Sequence, residues 1–114
     1  MATRKRSTPA VRVRILSGSE IAMGPGKADL LDAIAQTGSI SAAARQMRMS
    51  YRRAWLLVHT MNECFAAPLV NAAKGGKTGG GASLTATGAE VLATYRDVLA
   101  CAESAFGPYL NKRA

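Results

Sequence analysis

Two apolar stripes at helical spacing meet across a few residues near the middle of the chain, and that meeting constrains the fold more than any other feature. Ile40, Ala43, Ala44 and Met47 recur at i, i+3, i+4 and i+7, lining one face of a short helix. Ala54, Val58, Met61 and Phe65 form a second stripe that runs on until Pro68 forbids more helix. The pattern restarts at Ser50, a good N-cap, directly after Arg48-Met49, so a very tight turn separates the two helices. Either Ser39 or Ser41 is placed to cap the first of them.

The flanking segments complete an order of elements. Val11-Arg12-Val13-Arg14-Ile15 alternates at the strand period, and Glu20-Ile21-Ala22-Met23 returns as its partner across Ser17-Gly18-Ser19, predicting an N-terminal β-ribbon. After Gly24-Pro25-Gly26, Leu30, Leu31, Ile34 and Ala35 share a helical face, and Gly38 supplies a left-handed stop. Leu69-Val70-Asn71-Ala72 and Ala82-Ser83-Leu84 flank a glycine-rich tip, which predicts a hairpin wing. Thr87-Gly88-Ala89-Glu90 matches a capping box before a long final helix, along which Leu92, Tyr95, Leu99, Ala102 and Phe106 recur. Val91 and Val98 add a second apolar line, more surface than one face of a small domain needs, so Val91, Leu92, Tyr95, Val98, Leu99, Ala102 and Phe106 are expected at a dimer contact. The fold class is mainly α with small β: a winged helix-turn-helix with an N-terminal β-ribbon, a β-hairpin wing and a long C-terminal dimerisation helix.

A chain of 114 residues suits one domain, here expected over residues 11–114, with a flexible basic arm at residues 1–10 that carries Arg4, Lys5 and Arg6. Fifteen Lys and Arg against seven Asp and Glu leave a net +8, a field that attracts polyanions. No apolar run of spanning length and no secretory pattern is present, which points to nucleic acid rather than membrane and to the cytoplasm. Cys64 and Cys101 stand too far apart for a zinc site or a disulfide framework and are taken as ordinary buried thiols; no cofactor or metal is expected.

The second helix of such a pair enters the major groove, and Arg52 and Arg53 occupy its first turn. Cations there oppose the helix macrodipole at a cost of about 0.3–1 kcal/mol each, a placement that guanine edges or phosphates offset. The residues leave open which arginine touches a base, and Tyr51 adds a phosphate hydrogen bond. The DNA-binding set is therefore Arg45, Arg48, Ser50, Tyr51, Arg52 and Arg53, joined by Lys74 and Lys77 at the wing tip. Trp55 is expected in the core, and His59, the only histidine, receives no role. Gly76-Lys77-Thr78 ends like a phosphate-binding loop, but Asn71 stands where the first glycine is required and Gly79-Gly80-Gly81 follows where a helix must start. Without a convergent set of acid, base and nucleophile, an enzyme is not expected. The alternative is a nonspecific architectural DNA- or RNA-binding basic protein, although the 5% of aromatic residues argues against single-strand RNA recognition.

Gly38-Ser39-Ile40-Ser41-Ala42-Ala43-Ala44-Arg45, Met49-Ser50-Tyr51-Arg52-Arg53-Ala54-Trp55, the glycine-rich wing and Leu84-Thr85-Ala86-Thr87-Gly88 together resemble the N-terminal DNA-binding domain of the molybdate-responsive (ModE-type) regulators, whose winged helix is similar to that of LysR-type regulators. The resemblance covers roughly residues 11–110. It implies a homodimer joined through the last helix, reading a palindromic operator near molybdenum genes, with repression as the expected sign. Family members carry C-terminal molybdate-sensing domains for which a chain ending at Ala114 has no room, so this chain alone is expected not to bind molybdate. Arg48 stands where such turns often have glycine; a left-handed backbone there costs about 1–2 kcal/mol.

Overall fold

The computed structural model describes residues 11–73 and 81–110. A two-stranded ribbon, β1 (Ile15–Ser17) and β2 (Glu20–Met23), leads into α1 (Pro25–Thr37), α2 (Ile40–Gln46) and α3 (Tyr51–Cys64). The wing strands β3 (Val70–Ala72) and β4 (Ala82–Leu84) follow, then α4 (Ala86–Phe106) and a 3-10 turn at Gly107–Tyr109. This is the winged helix-turn-helix order. The basic arm, the wing tip with Lys74 and Lys77, and the last four residues lie outside the described residues.

The ribbon is shorter than the alternation of Val11 to Ile15 predicts. Met23 is the last residue of β2 and pairs with Ile15, because Gly24 and Pro25 turn the chain into α1 and leave the residues before Ile15 nothing to pair with. Register shifts between Ile15 and Leu16, so Ala22 is an extra residue on β2 and both Ala22 and Met23 enter the core. The preceding segment is held differently: the Tyr95 hydroxyl of α4 donates to the Val13 carbonyl at 2.7 Å. Burial pushes the Tyr95 phenol above its ordinary range, with Asp29 acting in the same direction, so it donates as the neutral group.

Gly38 ends α1 at φ 75°, donating to the Ile34 carbonyl, and its own carbonyl accepts from Ala82 N–H at 2.9 Å, which ties β4 to the α1–α2 corner. Ala33, rather than Ala35, joins Leu30, Leu31 and Ile34 in the core; Ala35 faces solvent one helical step past the buried line. Of the two candidate serines it is Ser39 that caps α2, accepting from Ala42 N–H at 3.0 Å.

The turn between α2 and α3 closes by two bonds, Arg48 N–H to the Arg45 carbonyl at 3.1 Å and Met49 N–H to the Ala44 carbonyl at 3.0 Å. That is a Schellman pattern, and it requires a left-handed residue, which here is Arg48 at φ 57°. Ser50 then caps α3 by accepting from Arg53 N–H at 3.1 Å. At the far end of α3, Asn62 accepts from the backbone N–H groups of Leu69 and Val70, at 2.8 and 3.1 Å, and donates to the Val70 carbonyl. The wing is thereby fastened to α3.

The capping box at Thr87 does not form. Thr85 is the N-cap of α4, accepting from Gly88 N–H at 2.8 Å and donating to the Pro68 carbonyl at 2.7 Å, so the helix begins two residues earlier and Glu90 stays exposed. Cys101 is exposed and Cys64 half-buried, against the expectation of two buried thiols. Cys101 falls on the side of α4 away from the Leu92–Tyr95 line, by the advance of roughly 100° per residue.

Gly88 sits against the Leu69 backbone so closely that a Cβ would overlap the Leu69 carbonyl. Gly88→Ala is expected to lower stability by about 2–3 kcal/mol in urea unfolding, since neither the helix nor Leu69 can yield. Arg48→Gly is expected to raise it by about 1 kcal/mol, the left-handed penalty less the added freedom of the unfolded chain.

Candidate nucleic-acid interface

The site is assembled at the corner where α2 hands over to α3. Ala54, Val58 and Met61 are buried and fix which side of α3 faces the protein. Tyr51, Arg52 and Arg53, the first three residues of the helix, are all exposed, and so are Arg45, Arg48 and Ser50. All six candidates are therefore accessible, on or beside the turn that joins α2 to α3. Advancing roughly 100° per residue, Arg52 points about 150° away from the buried line and Arg53 about 110°. Arg52 projects outward and Arg53 to the flank.

The first turn of α3 holds no acid. From Ala33 to Asn62 the chain contains Arg45, Arg48, Arg52 and Arg53 and neither Asp nor Glu. Because the helix N-terminus also carries partial positive charge, both the backbone and the side chains of this corner attract an anion. The acid-free run is legible in the sequence as a charge pattern, and all four of its arginines are exposed.

Beside Tyr51 a cleft of about 160 Å³ opens between Ser39, Ser41 and the wing strands at Ala72, Ala73, Gly81 and Ala82. The wing base and the start of α3 thus form adjoining walls. Lys74 and Lys77 lie outside the described residues, between Ala73 and Gly81, whose backbones are joined by a 2.8 Å bond.

Trp55 departs from expectation. It is 43% exposed, with its indole stacked on His59 at 5.2 Å between centroids and 6° between planes. The spacing carried the warning: Ala54, Val58 and Met61 define the buried line, and Trp55 stands roughly 100° from Ala54.

The predicted dimer residues of α4 divide into two groups. Leu92 and Tyr95 are buried in the chain's own core, so they are corrected to core residues, where Tyr95 also secures Val13. Val91 and Leu99 are half-buried and pack on that core, and Ala102 is half-buried. Val98 and Phe106 are exposed. Beyond Tyr95, α4 has no buried residue. An apolar groove of about 480 Å³ runs beside it, lined by Ile15, Met23, Phe65, Val91, Tyr95 and Val98.

Among the described residues, no helix is long and apolar enough to cross a membrane, and no group of three or more His, Cys, Asp or Glu is placed to hold a metal.

Comparison with known proteins supports this assembly. Residues 27–89 match the model of the bacterial regulatory helix-turn-helix proteins of the lysR family. The chain is 51% identical over 81 residues to the molybdenum-pterin-binding protein MopB of Rhodobacter capsulatus, covering 71% of this chain and 30% of MopB. It is 45% identical over 69 residues to the molybdenum transport protein ModE of Herbaspirillum seropedicae, covering 60% and 26%. With the DNA-binding transcriptional dual regulator ModE of Escherichia coli K12 the identity is 43% over 76 residues, covering 67% and 29%. The matched part spans less than a third of each of these relatives. With more than half of its length matched, across α1 to the start of α4, the chain belongs to the lysR family of bacterial regulatory helix-turn-helix proteins.

Proposed function

We propose that this chain is a sequence-specific DNA-binding transcriptional regulator of the molybdate-responsive type, acting as a homodimer on a palindromic operator, with repression as its sign. The observation that carries the reading is the exposed, acid-free start of α3, where Arg52 and Arg53 follow Tyr51, which lines the cleft at the wing base. Regulation fits the matched family, whose members are regulators rather than enzymes. The molybdenum connection rests on the names of relatives that the chain matches over a fraction of their length.

In this mechanism the start of α3 enters the major groove. Arg52, the outward residue, spans O6 and N7 of a guanine, while Arg53 and Tyr51 at its flank hold phosphates, as do Arg45, Arg48 and the Ser50 turn. Lys74 and Lys77 extend the phosphate contacts from the wing. The uncovered face of α4, with Val98, Ala102 and Phe106 at its centre and Val91 and Leu99 at its edge, joins two copies. Their recognition helices then face half-sites roughly 34–36 Å apart.

Selection from random duplexes is expected to yield a two-fold symmetric consensus; no enrichment would favour a nonspecific architectural protein. Arg52→Ala is expected to reduce the preference for that consensus over random duplex by about 1–3 kcal/mol. Arg53→Ala is expected to weaken binding to both alike and to flatten the salt dependence by about one phosphate contact. For the dimer, Phe106→Glu is expected to shift sedimentation toward the monomer without lowering the melting temperature measured at low concentration, because Phe106 is 59% exposed in the single chain.

A further inference from the structure

The base-reading role of Arg52 leaves one feature of α3 without a use. Trp55 and His59 stack nearly parallel on its exposed side, at 5.2 Å and 6°. Trp55 lies four residues after Tyr51, which lines the cleft shared with the wing strands, and seven before Asn62, which bonds the start of β3. At roughly 100° per residue, Trp55 and Asn62 differ by only about 20° around the helix. Tyr51, Trp55 and Asn62 therefore mark the edge of α3 that borders the wing, and His59 stands between that edge and the outward side.

When α3 occupies a major groove with the wing beside it, the strand that separates the two grooves crosses this edge. We propose that the Trp55–His59 stack is the seat for the sugar-phosphate backbone of that strand, a positioning contact independent of sequence; the inference rests on the DNA-binding reading above. The indole Nε1–H and the imidazole N–H are donors suited to phosphate oxygens, and the ring faces suit deoxyribose. Stacking holds both rings in place before DNA arrives, so less side-chain freedom is lost on binding. Charge selects the occupant. Exposed Arg52 stands one turn before Trp55, about 60° from it around α3, and the chain's net +8 favours a polyanion over a second copy of the chain, against the opposing charge of exposed Glu63 one turn after His59.

Trp55 is the chain's single tryptophan, so its emission in the unmodified full chain reports on this site alone. Binding is followed separately through the anisotropy of a labelled duplex. Trp55 emission is expected to change, and to become shielded from acrylamide, in step with saturation of the duplex. Trp55→Ala is expected to weaken consensus and random duplexes equally, by about tenfold, whereas Trp55→Phe, which restores the ring without its donor, recovers part of the loss. Duplex binding with unchanged emission and unchanged quenching overturns the proposal and leaves the DNA-binding reading standing. Absence of duplex binding overturns both. An emission change that follows protein concentration without DNA makes the face a protein contact, which also overturns the proposal.

Discussion

Three elements converge on the backbone of Pro68, Leu69 and Val70, and the placement of the wing follows from that junction. Asn62 at the end of α3 binds the N–H groups of Leu69 and Val70, and Thr85 at the start of α4 binds the carbonyls of Pro68 and Leu69 through its hydroxyl and its N–H. Gly88 lets the first turn of α4 lie directly on Leu69, whose side chain is fully buried. These bonds answer backbone groups that no strand pairs, and each unanswered group costs on the order of 1–3 kcal/mol when buried. Helix α3, the wing and α4 thus leave one point at set angles, and a loss there affects all three.

The other corner of the molecule breaks two local rules at once. Arg48 takes the left-handed conformation that glycine adopts without penalty, and Arg52 and Arg53 place positive charge at the positive end of α3. Each is a small unfavourable contribution in the free chain, and both occur at exposed residues within a few positions of the α2–α3 turn. An anion lying across this corner offsets the electrostatic part, which is why the violations are informative about function. The Schellman bonds from Arg48 and Met49 maintain the turn in spite of its conformational cost.

Signals with a short reach were legible. Gly38 as a left-handed stop, Ser50 as a cap and the stripe Ala54, Val58, Met61 depend on neighbours within a turn or two of helix and form as their spacing indicates, whereas Phe65, the last member of that stripe, falls outside α3, which ends at Cys64, and is half-buried in extended backbone. Signals that depend on distant partners misled. The alternation of Val11 to Ile15 satisfies a strand pattern, yet β2 ends where α1 begins, so the early residues lack a mate and Tyr95 secures them from α4. Thr87 has the local pattern of a cap, but Thr85 has the Pro68 carbonyl as a second partner, and that contact spans 17 residues. Leu92 and Tyr95 stand on the same apolar line as Phe106, and only the elements that pack on the first half of α4, α1 and β4 among them, decide that the first two are covered and the last is not.

The amino-acid order alone determined the two helices, the tight turn between them, the excess of cations and the glycine-tipped wing, because helical periodicity, capping and charge are properties of nearby residues. Tertiary structure decided that the Trp55 indole stacks on His59, that Tyr95 secures Val13, and where α4 leaves the core. Those outcomes follow from how helices pack against partners far away in the chain. A helical residue's exposure depends on what covers its face, and no local pattern records that.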